Sequence, residues 1–300
     1  MLKIAWHPCY MHPLPVGHRF PMIKYELLPQ QLIHYGIVSK NNFFEPKPLQ
    51  EKWIIKTHQK AYWEKLKFLN LSKKEERRTG FPLSKALVER EITIAQGTID
   101  CAEFALKYGA SMNIAGGTHH AFTNLGEGFC LLNDIAIAAN YLLAKKIAKQ
   151  ILVVDLDVHQ GNGTAEIFKT NKKVFTFSMH GAKNFPVKKE RSDLDVPLPD
   201  NTTDETYLNL LNTHIKNLLK KVQPDFIFFQ SGVDVLKEDK LGRLALSLEG
   251  CKQRDEIVIE SAFKNKIPLV VVMGGGYAED IKLILQAHTN TFKVVQDVMF

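Results

Sequence analysis

A single α/β domain spanning residues 1–300, with a mostly parallel β-sheet flanked by helices on both faces, is the architecture this sequence predicts. Two observations lead there. From about residue 84 helical and strand-like hydrophobic patterns alternate regularly, and each strand-like run opens into polar or glycine-rich sequence. Taken in order, residues 1–50 are rich in proline, histidine and aromatics, show little periodicity, and are expected to wrap the surface and shape a rim. Helical patterns at 84–108 and 131–149 lead into Ile151-Leu-Val-Val-Asp-Leu, an apolar β-branched run of the kind that forms a buried strand. Further strands are expected at Val174–Ser178, Phe226–Phe229 and Pro268–Met273, with helices at about 204–221 and 249–264. The loop 182–203 carries no pattern and is expected to join the N-terminal segment in building the rim. The strand tails are Asp155-Leu-Asp-Val-His159, Ser178-Met-His180, Gln230-Ser-Gly-Val-Asp234 and Gly274-Gly-Gly-Tyr277. In open α/β sheets ligands bind beyond the carboxyl ends of the strands, so these tails should converge on one site.

Composition narrows the class. Three hundred residues at 45% hydrophobic content suit an ordinary globular protein, and no repeat, low-complexity tract or Ser/Gly-rich linker divides them. The formal charge of +7 favours acidic partners only mildly, because basic and acidic residues are interleaved, as in Lys73-Lys-Glu-Glu-Arg-Arg78. Lys and Arg are scattered along the chain, which argues against direct nucleic-acid binding. Cys9, Cys101, Cys130 and Cys251 lie far apart and suit a reducing compartment. The first residues lack an apolar signal core, and no apolar stretch reaches the roughly 18 to 20 residues a membrane span needs. The expected location is the cytoplasm.

Asp155-x-Asp157-x-His159 puts carboxylate and imidazole groups on one side of an extended segment, since side chains repeat with period two along a strand. Two of them can grip one ion, with Asp234 the best placed third donor. Three mixed N and O ligands leave a position for water or substrate, as in catalytic zinc sites. The same string also suits a structural reading, in which Asp157 and His159 cap the helix beginning near residues 161–164.

Gly116-Gly-Thr-His119-His120 presents tandem histidines after two glycines that permit a tight turn. A histidine there can take a proton from an attacking water and return it to a leaving amine, with Asp155 and Asn162 as orienting partners. Tyr277, directly after Gly274-Gly-Gly276, could donate a hydrogen bond to a developing oxyanion. The triglycine fits neither phosphate-binding pattern, G-x-G-x-x-G or G-x-x-x-x-G-K-[ST]. Asn133 and Asp134 suit a helix start, and Cys130 is expected to be buried.

Gly-Gly-Thr-His119-His120-Ala, Gly-Glu-Gly128-Phe129-Cys, Val-Asp155-Leu-Asp157-Val-His159-Gln-Gly-Asn162-Gly, Gly232-Val-Asp234 and Gly-Gly-Gly276-Tyr277 together resemble, in this order, the histone deacetylase superfamily. The match spans about residues 110 to 280. His159-Gln-Gly-Asn-Gly, Asp234-Val-Leu-Lys-Glu-Asp-Lys-Leu-Gly and Gln253-Arg-Asp-Glu look most like class IV members and their bacterial relatives. The resemblance implies an arginase-like α/β fold and Zn²⁺ held by Asp157, His159 and Asp234. It implies His120 as general acid and base, His119 as electrostatic support and Tyr277 as the group polarising the scissile carbonyl. Gly128, Phe129, Phe185 and Gly276 would contact an acyl-lysine side chain in a narrow tunnel. A potassium ion beside Asp155, Asp157, His159 and Ser178 is also implied. Asn162 stands where class I members carry aspartate and other classes asparagine, which weakens a direct transfer of class I proton accounting.

The implied activity is hydrolysis of acyl-lysine in a protein or peptide. An alternative within the superfamily is an amidohydrolase for small acylated amines such as acetylpolyamines, which acidic rim residues would favour. A non-catalytic acyl-lysine binder would have lost a ligand, a histidine or the tyrosine, and none is lost here. The donor set would also accept Fe²⁺, Co²⁺ or Mn²⁺, so zinc rests on the resemblance.

Overall fold

The computed structural model describes residues 1–300. Its strands are β1 (Lys3–Ala5), β2 (Phe43–Phe44), β3 (Ala110–Asn113), β4 (Ile151–Asp155), β5 (Val174–Gly181), β6 (Leu194–Leu198), β7 (Phe226–Gln230) and β8 (Leu269–Val272). They form one open sheet in the order β2-β1-β3-β8-β7-β4-β5-β6, and every neighbouring pair is parallel. The helices are α1 (Lys24–His34), α2 (Glu51–Ile54), α3 (Lys60–Lys67), α4 (Lys73–Thr79), α5 (Lys85–Tyr108), α6 (Asp134–Ala144), α7 (Asn162–Phe168), α8 (Asp204–Val222), α9 (Leu248–Lys264) and α10 (Ile281–Met299). They cover both faces of the sheet in two packed groups, α5 with α6 and α1 with α10, α9 and α8. None is long and apolar enough to cross a membrane.

The central strands β4, β7 and β8 are buried along their whole length, which is why they read as unbroken apolar runs rather than alternating ones. The expected helix at 131–149 is shorter, Asp134–Ala144, because Asn133 caps it by accepting from the Ala136 amide at 2.9 Å. Two expectations need correction. The N-terminal segment does not only wrap the surface: β1 lies inside the sheet between β2 and β3, with Leu2, Ile4 and Ala5 fully buried. The loop 182–203 contains the edge strand β6, whose Pro197 is tolerated because one side of an edge strand has no ladder to satisfy.

His58 ties the start of α6 to the rest of the fold. Its Nδ1–H donates to the Phe122 carbonyl at 2.8 Å and its Nε2 accepts from the Asn133 amide at 3.0 Å, which fixes a neutral ring. Burial pushes its pKa down from 6.5 to about 4. The unfolded chain therefore binds a proton near pH 6.5 that the folded chain refuses until about pH 4. Stability should fall as pH drops through this window, by about 3 kcal/mol from this residue. Urea unfolding across pH 7 to 4 should show that slope, and His58→Ala should be weaker at pH 7 but flatter in pH.

Candidate active site

The tails of β4, β5, β7 and β8 leave the sheet at one level: Asp155 is the register partner of both Ser178 and Gln230, and Gln230 of Val272. Past Asp155 the backbone is no longer extended but bends through residues 157–159. Strand alternation therefore does not bring Asp157 and His159 together; the bend does. One Asp155 carboxylate oxygen turns to His119 Nδ1, and the other accepts from the Asp157 amide at 3.2 Å.

Ligand atoms of Asp157, His159 and Asp234 lie within 4.8 Å of one another, and all three residues are buried. His159 Nδ1 stands 3.1 Å from Asp157 Oδ1 and 3.1 Å from Asp234 Oδ2. The opposite carboxylate oxygens are pinned by main-chain donors, Asp157 Oδ2 by the Gly275 amide at 2.7 Å and Asp234 Oδ1 by the Val158 amide at 2.9 Å. Glycine is required around them, since a Cβ on Gly275 would sit 1.9 Å from Asp234 Oδ2 and one on Gly232 would sit 2.2 Å from Asp157 Oδ2. Burial and the Asp157 charge push the Asp234 carboxyl up to about 7. Burial opposes a charged His159, but hydrogen bonds and charges from Asp157 and Asp234 outweigh it and push the ring up to about 10. A buried imidazole and two carboxylates that draw positive charge between them suit a divalent cation, and their mixed donor set fits zinc.

The histidine pair sits beside this cluster. Gly116 and Gly117 turn with φ of 83° and 77°, and Asp134 accepts from the Thr118 amide at 2.9 Å and from its hydroxyl at 2.7 Å, holding the turn from beneath. Asn133 and Asp134 thus do more than start α6. His119 Nδ1–H donates to Asp155 Oδ2 at 2.7 Å, His120 Nδ1–H donates to Asn162 Oδ1 at 2.6 Å, and the two ring centroids are 4.0 Å apart. The Asn162 amide in turn donates to Glu127 Oε1 at 2.6 Å, which fixes which end of the amide faces His120. Burial disfavours charge on both rings, but Asp155 and Asp157 outweigh it at His119 and raise its pKa. At His120 burial is joined by repulsion from His119 and His159, and its pKa falls well below the ordinary value. The pair is therefore split: charge is favoured on His119 and disfavoured on His120, whose Nε2 has no protein partner.

Tyr277 is placed by its main-chain amide, which donates to Asp239 Oδ2 at 2.6 Å. Burial, then Asp234 and Asp157, raises its phenol pKa well above 10, so it keeps its proton. Phe129 and Gly128, both at positive φ, line the approach with Phe185, whose ring meets His120 edge-on at 4.9 Å. A Cβ on Gly128 would fall 2.7 Å from His120 Cδ2. The approach opens outward into a mouth of about 480 Å³ and inward into a chamber of about 30 Å³ lined by His119, Asp157, Gly274, Gly275, Cys130 and Arg90. His120, Gly128, Phe129, His159 and Tyr277 line both.

Gly276 is the one residue expected to contact substrate that the fold turns away from the approach. It lines neither cavity, and a Cβ there would point at Val233, Ile284 and His288 behind the loop, whereas Gly274 and Gly275 face the chamber. Ser178 is adjacent to Asp155 by register, and its hydroxyl pairs with His180 Nδ1 at 2.9 Å. Sequence reasoning gave no role to Glu127, Asp239 or Arg254. Arg254, fully buried on α9, donates to the carbonyls of Leu156, Ser231 and Gly232, tying together the two segments that carry the ligands. A signal existed: Arg254 and Asp255 fall on the same stripe of α9 as buried Cys251, Val258 and Ile259.

The sequence profile of the histone deacetylase domain matches residues 18–292. An uncharacterized protein of Picosynechococcus sp. is 41% identical over 98% of this chain and 98% of its own length. Histone deacetylase 2 of Arabidopsis thaliana is 27% identical over 87% of this chain and 70% of its own. Among solved structures, a histone deacetylase homologue from Aquifex aeolicus superposes with a TM-score of 0.84 at 24% identity, covering 98% of this chain and 84% of that one.

Proposed function

The chain belongs to the histone deacetylase family, and from that premise we propose that it is a zinc-dependent hydrolase that removes acyl groups, acetyl or longer, from lysine side chains. Family and fold support deacetylase hydrolase activity. The observation that carries the finer reading is the meeting of a buried three-donor cluster, a split histidine pair and a protonated tyrosine at the inner end of an aromatic-walled approach. We read residues 1–300 as one catalytic domain, related to class IV members by the strings around Asn162, Asp234 and Arg254. Four free thiols suit a reducing, cytoplasmic setting.

Zinc held by Asp157, His159 and Asp234 would supply Lewis-acid polarisation of the scissile carbonyl and raise the acidity of the attacking water. Phe129 and Phe185 flank the neutral acyl-lysine stem and exclude water from it. Neutral His120 takes the proton of the attacking water at Nε2 and hands it to the departing amine, while Asn162 holds Nδ1. His119, whose charged form Asp155 favours, stabilises the negative charge that develops on the oxygens of the tetrahedral centre. Tyr277 donates to the carbonyl oxygen as it becomes an oxyanion. Potassium near Asp155, Asp157, His159 and Ser178 would stiffen the segment bearing the ligands.

Fluorogenic acyl-lysine peptides from acetyl to long-chain, assayed with metal-analysed protein with and without a chelator, test this reading. Chelator-sensitive hydrolysis is expected, and the panel reads out the preferred acyl length. No turnover of any substrate by zinc-loaded protein would instead favour a non-catalytic acyl-lysine binder. Tyr277→Phe should lower kcat roughly 10²–10³-fold with little change in KM. Full activity in that variant would remove Tyr277 from the oxyanion role.

A further inference from the structure

Cations that are scattered in the sequence gather in the fold. Arg19, Arg77, Arg78, Lys183 and Arg243, from four separate segments, all line the mouth of the approach. Glu127 is the one carboxylate among the lining residues, and it is committed to the Asn162 amide at 2.6 Å. Lys183 and Arg243 share a single counterion, Asp200, at 3.7 and 3.3 Å, while Arg19, Arg77 and Arg78 have none. Arg19 is instead stacked 5.0 Å over the ring of Phe129, so a positive charge sits directly on the tunnel wall. Arg77 Nε donates to the Lys73 carbonyl one turn back, and Arg77 and Arg78 stand in the last turn of α4. Cations in the last turn suit the helix dipole, but that gives no reason for three further segments to bring cations to the same opening.

We propose that this mouth selects acyl-lysine within an acidic stretch of protein or peptide. The inference rests on the deacylase reading and names its substrate class. An acylated lysine is neutral and enters the tunnel at no electrostatic cost, leaving its sequence neighbours over the cationic mouth. Glutamate or aspartate at those positions meets opposite charge. The remaining ammonium groups of an acetylpolyamine meet like charge, which disfavours that alternative. Because these side chains are mostly exposed, the selection acts through encounter and KM and weakens as salt shortens the screening length.

The test compares three acetyl-lysine peptides, flanked by glutamate, by glycine and serine, or by arginine, together with N-acetylspermidine, at low and at about 0.5 M salt. The glutamate peptide should exceed the arginine peptide in kcat/KM about tenfold at low salt, through KM, with the gap closing at high salt. N-acetylspermidine should be the poorest substrate. In Arg19→Glu/Arg77→Glu/Arg243→Glu the order of the two charged peptides should invert, a ratio taken within one protein and so independent of its folded yield. Equal kcat/KM for the charged peptides, a preference for arginine, or efficient turnover of N-acetylspermidine would overturn the proposal. Anisotropy of the same peptides carrying fluorescein reads the mouth without turnover. Tighter binding of the glutamate peptide by a protein that hydrolyses none would uphold the mouth and sink the deacylase reading. A 20-nucleotide single strand that binds tighter than the glutamate peptide and displaces it would replace the acidic peptide with nucleic acid and overturn the proposal.

Discussion

Alanine at His120 is expected to lower kcat on an acetyl-lysine peptide by about 10²–10⁴-fold while changing KM little. The two histidines are neighbours in sequence and 4.0 Å apart in space, yet their partners make them different acids. His119 faces a buried carboxylate, Asp155, which stabilises its charged form; His120 faces an amide, Asn162, which does not. Only a ring that is neutral at the start can accept a proton from water, so His120 is the base we propose. In the proposed mechanism His119 contributes through charge, so His119→Ala should cost less than His120→Ala. Steady-state kinetics on both variants, with metal content measured on the same samples, decide the matter. A larger loss at His119 would reverse the assignment. Glu127→Gln is informative beside them, because it frees the Asn162 amide to turn its NH₂ toward His120 and so disturbs the base without touching either ring.

The parts of this arrangement that the sequence discloses are those carried by local pattern. Ile151–Asp155, Phe226–Gln230 and Leu269–Val272 are central strands buried on both faces, so they appear as continuous apolar runs that no loop would carry. β3, Ala-Ser-Met-Asn, is as central and as buried, but it lacks β-branched residues and is only four residues long. β1 and β2 are shorter still, so the pairing that holds them is tertiary and leaves no periodic trace. At the site, His119, His120, Asp155, Asp157, His159, Asn162, Asp234 and Tyr277, all named from the sequence, lie together because strand ends define one edge of the sheet. Gly276 was named with Tyr277 but faces the opposite way, since its neighbours Gly274 and Gly275 take the inner wall. The cationic mouth was illegible for a different reason: Arg19, Arg77, Lys183 and Arg243 become neighbours only through long-range packing, and single charges in loops ordinarily mean solvent exposure.

Arg254→Met is expected to remove about 3–5 kcal/mol of stability, the cost of leaving a buried charge without its partner. Arg254 and Asp255 are both fully buried, paired at 2.7 Å, and the aspartate also accepts from the Thr291 hydroxyl at 2.7 Å. Two effects are combined in that figure and can be separated. One is the stranded Asp255 carboxylate. The other is the release of three carbonyls, Leu156, Ser231 and Gly232, that the guanidinium holds between the Asp157 and Asp234 segments. Replacing Asp255 by asparagine in the same chain removes the stranded charge but returns no donor to those carbonyls. The double variant should therefore regain part of the lost stability in urea unfolding, while zinc affinity stays roughly 10–100-fold weaker than in the parent, the range found when groups that orient ligands are lost. If zinc affinity recovers together with stability, Arg254 serves only to neutralise Asp255, and the spacing of the ligand segments is set by the sheet alone.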